Sequence, residues 1–188
     1  KHLGGLLGIT AVLHTWTRKL DFHPHVHCIV TGGGLDEKGG RWARAKPDFL
    51  FPVKVLSRLF RGKFLAALHR VHKRGQLEFA GGCADLAVGD NFAKLRDRLY
   101  RKDWVVYAKR PFGGPENVFE YLGRYTHRVA ISNYRLLSMD NEGVTFATKE
   151  GKTVTLAPTE FIRRFLMHVL PKDFVKIRHY GLKAASNV

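Results

Sequence analysis

The run His-Val-His-Cys-Ile-Val-Thr-Gly-Gly at positions 25–33 constrains the fold most. Its β-branched and apolar residues head into glycines, which reads as a strand that the glycines stop. Residues 6–18, LLGITAVLHTWTR, have the same character. Between the two lies KLDFHP, with the composition of a turn. Two strands joined by so short a link form an antiparallel hairpin. The first expectation is therefore a sheet whose inner strand carries imidazoles.

The rest of the chain alternates between the two periods. Residues 52–75, PVKVLSRLFRGKFLAALHRVHKRG, repeat Val55, Leu56, Leu59 and Phe60, then Phe64, Leu65, Leu68 and Val71, at helical spacing, as one amphipathic helix or two would. NFAKLRDRLYR at 91–101 reads as a second helix, with Asn91 as its cap. DWVVYAKRP reads as a strand, and GGPENVFEYLGRYTHR as a helix opening at Pro115. Three short strands follow in VAISNYRLLSMD, GVTFATKE and KTVTLAP. A helix comes next in PTEFIRRFLMHVL, begun by Pro158 or capped by Thr159, and FVKIRHYG ends the pattern as a strand. The order predicts an α+β domain with an antiparallel sheet flanked by helices. TGGG lacks the spacing of a dinucleotide-binding loop.

Alternate residues of a strand share a face, so His25 and His27 project side by side, about 7 Å apart at Cα. Neutral imidazole is a common metal ligand. Ten histidines in 188 residues produce roughly half of one such pair by chance, so the pair alone says little. Two features add to it. The strand has a buried composition, where unpartnered imidazoles are costly. And His14 lies on the strand that folds back beside it, so His14, His25 and His27 form an expected three-histidine site with open positions for substrate. His23 is the rival third ligand, although its place before Pro24 suits a turn.

Tyr121 and Tyr125 stand four apart, on one face of the expected helix. Core-edge packing is the ordinary use of such a pair. Arg124 and Arg128 in the same segment, and Lys109 with Arg110 upstream, would position DNA phosphates. The chain holds 32 Lys+Arg against 16 Asp+Glu, a net charge of +16, which suits a polyanionic partner, nucleic acid first. A metal, a phenol and such a partner together suggest phosphoryl transfer to tyrosine.

Cys28 and Cys83 form no paired motif, which argues against a disulfide scaffold or a cysteine zinc site and leaves reduced cytoplasm as the expected compartment. No apolar run is long enough to span a membrane, so no membrane partner is expected. The chain opens at Lys1 and runs at once into apolar sequence, as a piece of a longer protein would.

HPHVHCIVTGGG, then YLGRYTHRVAISNYRLL, then KIRHYGL near the end resemble the HUH-type transposases of rolling-circle insertion sequences with two catalytic tyrosines. The likeness runs from about residue 9 to 182 and treats 1–188 as one HUH nuclease and transposase domain. It implies nicking of single-stranded DNA with Mg²⁺ or Mn²⁺, leaving a 5′-phosphotyrosine and a 3′-OH. It implies Tyr121 and Tyr125 as nucleophiles, and it makes His14 resemble the upstream histidine of related relaxases. Members usually carry an N-terminal cysteine-rich zinc module, absent from this sequence, and no helicase motif is present. A host helicase is therefore an expected partner. Two alternatives stay open. A replication initiator or relaxase would share the chemistry. A non-catalytic single-strand binder would use the sheet with Trp16, Trp104 and Tyr107.

Overall fold

A computed structural model of the chain describes residues 3–36, 40–47, 49–126 and 130–185, with only the backbone for 124–126. Its contacts divide the chain into two compact units, 46–111 and the segments on either side. The larger unit is α+β. Strands β1 (Leu6–Trp16), β2 (Phe22–Leu35), β3 (Trp42–Arg44) and β7 (Ile177–Gly181) form an antiparallel sheet in the order β3-β2-β1-β7. Strands β4 (Leu136–Met139), β5 (Val144–Ala147) and β6 (Thr153–Leu156) form a second antiparallel sheet. Helices α3 (Pro115–Thr126) and α4 (Pro158–Leu166) complete this unit.

The β1–β2 hairpin is the expected one, but β2 runs through the glycines rather than stopping at them. The register slips between Leu7 and Ile9, so β2 bulges there. Thr31 fills the gap: its hydroxyl accepts from Gly8 N at 3.1 Å and donates to Gly33 O at 2.5 Å. A Cβ at Gly33 would come within 2.6 Å of Ala43 O and of the Trp42 ring, so glycine lets β3 close on β2. A second slip lies between His14 and Trp16. Pro24 falls in it, where a missing N–H costs no ladder bond.

The hairpin turn is fixed by Thr17. Its hydroxyl accepts from Lys19 N and Asp21 N and donates to Asp21 Oδ2. Leu20 takes a left-handed φ of 62° there and is fully buried. With Phe146 and Ala130 it forms the core between the turn and the second sheet, joined by Trp16, Ile131, Val154, Leu156, Phe161 and Phe165. Arg164 of α4 ties the turn down through Asp21 Oδ1 at 2.7 Å.

The smaller unit holds α1 (Val53–Lys73), a short 3₁₀ turn at Gly81–Ala87 and α2 (Asn91–Arg101). The long apolar pattern is one helix. Pro52 precedes it, and Gly75, at φ 64°, follows its end. Asn91 opens α2 rather than capping it, its amide bonding Asp85 O at 2.9 Å. DWVVYAKRP forms no strand. Trp104 is held between Phe60 and Phe64 of α1, with centroids at 5.4 and 5.2 Å, and donates to Leu99 O. The described elements of this unit are helical and offer no sheet edge. Val105 and Tyr107 stay 93% and 80% exposed. No helix among the described residues is long and apolar enough to cross a membrane.

Candidate active site

The register pairs His14 of β1 directly with His25 of β2, while Val12 faces His27. Residues opposite one another share a face, so all three imidazoles stand on the same side of the sheet. Their nitrogens converge. His25 Nε2 lies 3.2 Å from His14 Nδ1 and 3.0 Å from His27 Nε2, and the three donor atoms fall within 4.8 Å of one another. Two ligands each about 2.0–2.1 Å from one ion, at a right angle, are about 3 Å apart. The two His25 contacts therefore have the spacing of ligands that share a cation.

Second contacts fix which nitrogen carries the proton. His25 Nδ1 is 2.7 Å from the carbonyl oxygen of His23, which can only accept. Nδ1 is thus protonated, and the Nε2 lone pair points into the cluster. The His23 ring contributes no atom to the gathered nitrogens. Its contribution is the backbone carbonyl exposed by the Pro24 bulge. The His14 pKa is pushed down to about 3, first by burial, then by charge on His25, His27, Lys176 and His168. This ring is neutral at neutral pH, the form that ligates.

Helix α3 lies over this face. Tyr121 Oη is 2.7 Å from His27 Nδ1, and its ring packs against Phe112 at 5.2 Å. So one of the two expected phenols meets the histidine cluster. Tyr125 and Arg124 follow on the same helix, but their side chains, like all of Arg128, lie outside the described residues. Lys109 and Arg110 are exposed and belong to the smaller unit.

The sequence reading missed the supports of the cluster. Trp16 packs on His14 at 4.0 Å and faces His168 at 5.8 Å, and the Lys176 ammonium stands 5.2 Å above the Trp16 ring. His168 is 2% exposed. It donates from Nε2 to Leu20 O at 3.1 Å and accepts at Nδ1 from the Thr15 hydroxyl at 3.2 Å. No local motif announces His168 and Lys176, because the chain after α4 and the β7 approach bring them in from the far end. Of the aromatics suited to a stacking platform, Trp16 is half-buried against the core, Trp104 packs on α1, and Tyr107 is exposed.

Residues 8–188 match the family described as "Putative transposase". The chain is similar to "Putative transposase y4qJ" of Sinorhizobium fredii, 48% identical over 187 residues, covering 96% of this chain and 47% of the relative. It is also similar to "Transposase for insertion sequence element IS801" of Pseudomonas savastanoi pv. phaseolicola. That match is 29% identical over 192 residues, covering 98% of this chain and 45% of the relative. The chain thus spans about half the length of these curated relatives. No solved structure matches it.

Proposed function

The chain belongs to the family described as "Putative transposase", and from that premise we propose that it is a metal-dependent HUH endonuclease that nicks and rejoins single-stranded DNA in rolling-circle transposition. The observation that carries the reading is the 2.7 Å contact between Tyr121 Oη and His27 Nδ1, at the edge of three converging imidazoles. His14 Nδ1, His25 Nε2 and His27 Nε2 would hold the cation. Three nitrogen donors suit Mn²⁺ better than Mg²⁺, which prefers oxygen and water. A divalent ion there would polarise a phosphodiester oxygen and neutralise charge developing on the phosphate.

His27 sets the state of the nucleophile. When its Nε2 lone pair is given to a cation, its proton resides on Nδ1 and points at Tyr121 Oη. The phenol oxygen then accepts a hydrogen bond, which favours the attacking anion. Tyr121 Oη gives its proton to water and bonds to phosphorus. The bond from phosphorus to the 3′ oxygen breaks, and that oxygen takes a proton from water and leaves as a 3′-OH. The 5′-phosphotyrosine conserves the bond energy for rejoining. Tyr125 would serve as the second nucleophile, so that one end is held while another is cut. A host helicase would supply the single strand.

Replication initiators and relaxases share this chemistry, and the names of the two relatives favour the transposase. The test is a labelled single-stranded oligonucleotide incubated with the chain and Mn²⁺. A band that stays shifted on a denaturing gel is expected, and it should vanish with chelator and in His25→Ala and His27→Ala. Non-covalent binding alone, at every metal tested, would favour the single-strand binder instead.

A further inference from the structure

Beside Trp16 lies a cavity of about 320 Å³, walled by Leu13, Trp16, Phe165, Val169, Leu170 and Lys176. This is within the range of small-ligand sites. Thr15 and His168 also reach it, but their polar atoms bond one another and Leu20 O, as described above. The polar group left to meet a guest is the Lys176 ammonium. Among the described residues it has no carboxylate or hydrogen-bond partner, only the face of Trp16 at 5.2 Å. A half-buried cation at an apolar cavity favours a guest that brings acceptors.

We propose that this cavity receives one unpaired nucleobase of the DNA strand, next to the linkage held at the histidine cluster, with guanine preferred. The inference rests on the DNA-nicking reading above and deepens it by naming a specificity pocket. A base has the required shape: a flat apolar face for the Trp16 wall and a polar edge for Lys176. Guanine offers O6 and N7 as adjacent acceptors, the pair that lysine takes, whereas adenine and cytosine present an amino donor beside theirs. Trp16 also touches His14, with centroids at 4.0 Å, so one ring is a wall of the cavity and a neighbour of the cluster. A phosphate attached to the captured base would stay close to the imidazoles. The strongly basic chain, at +16, suits the strand that carries the base.

The test measures binding of the 188-residue chain to labelled thymine-only oligonucleotides, and to the same strands with one guanine, in chelator so that no cleavage intervenes. One guanine should tighten binding about tenfold, the discrimination expected of a good side-chain contact to a base edge. Lys176→Met keeps the apolar stem and removes the charge. Val169→Trp fills the cavity from a position that is 55% exposed, outside the core. Each should bring the ratio of the two affinities to about one while salt-sensitive binding of both strands persists. Equal affinities in the unaltered chain, or a ratio that survives both variants, would overturn the pocket and leave the nicking reading intact. If no strand binds even at low salt, the DNA reading itself falls, and the pocket with it.

Discussion

A neutral imidazole has one proton for two ring nitrogens, and at His27 both nitrogens are engaged, Nε2 with His25 and Nδ1 with Tyr121. On the proposed reading, His27 would be the link between cation and phenol. Substituting Tyr121→Phe should therefore abolish the adduct on residue 121 without weakening cation binding, read by peptide mass spectrometry and by Mn²⁺ titration. His25→Ala or His27→Ala should weaken that titration beyond the roughly 10–100-fold typical of losing an outer partner. His23→Ala should leave it near the original, because His23 acts through its carbonyl. Retention of tight binding by His25→Ala, or its loss in His23→Ala, would reverse the assignment. The gathering of His14, His25 and His27 was legible because strand period and hairpin pairing both follow from local sequence. His168 was not, since its meaning depends on a turn far upstream in the chain. Burial lowers the His168 pKa against the opposing bond to Leu20 O. The unfolded chain, near the usual imidazole value of about 6.5, then takes up the proton that the folded chain refuses. Stability is full above that value and declines as pH falls below it, and His14 acts in the same direction down to about 3. In chelator, Tm should drop between pH 7.5 and 5, and His168→Gln should flatten the drop.

Among the elements, the β1–β2 turn does the most to position the site. It holds Leu20 in the core, and its carbonyl and carboxylate receive His168 and Arg164. Leu20→Ala should cost about 2–5 kcal/mol in denaturant unfolding, the range for a buried leucine truncated to alanine. A cost under about 1 kcal/mol would mean that the turn is not part of the cooperative core. The hairpin, three short strands and four helices could be read in the sequence because each has a clear period. Two of the readings that failed did so for different reasons. The glycines at 32–34 looked like a stop, but local composition cannot distinguish a stop from a close approach by a neighbouring strand, which is what Gly33 permits. DWVVYAKRP has strand composition, but a strand needs a partner. Trp104 is instead drawn onto α1 by Phe60 and Phe64. Propensity lost to packing in that case.

At the scale of the whole molecule, the net charge of +16 and the imidazole cluster contribute different things. On the nicking reading, the charge would govern how tightly a polyanion is held and how strongly salt competes. The cluster would govern what happens to one linkage. The two should separate experimentally. His25→Ala removes a ring that is neutral when it ligates, so it should lose nicking yet keep the salt dependence of strand binding. For single strands, log K falls against log salt with a slope of about 0.7 per neutralised phosphate. Lys109 and Arg110 were read as phosphate contacts, and both are exposed. If both neutralise phosphates, changing the pair to alanine should make the slope shallower by about 1.4. A fluorescence-anisotropy titration between low and moderate salt measures both variants. An unchanged slope in the Lys109 and Arg110 variant would remove those two residues from the DNA surface. A shallower slope in His25→Ala would mean that the cluster binds the strand by charge rather than through a cation.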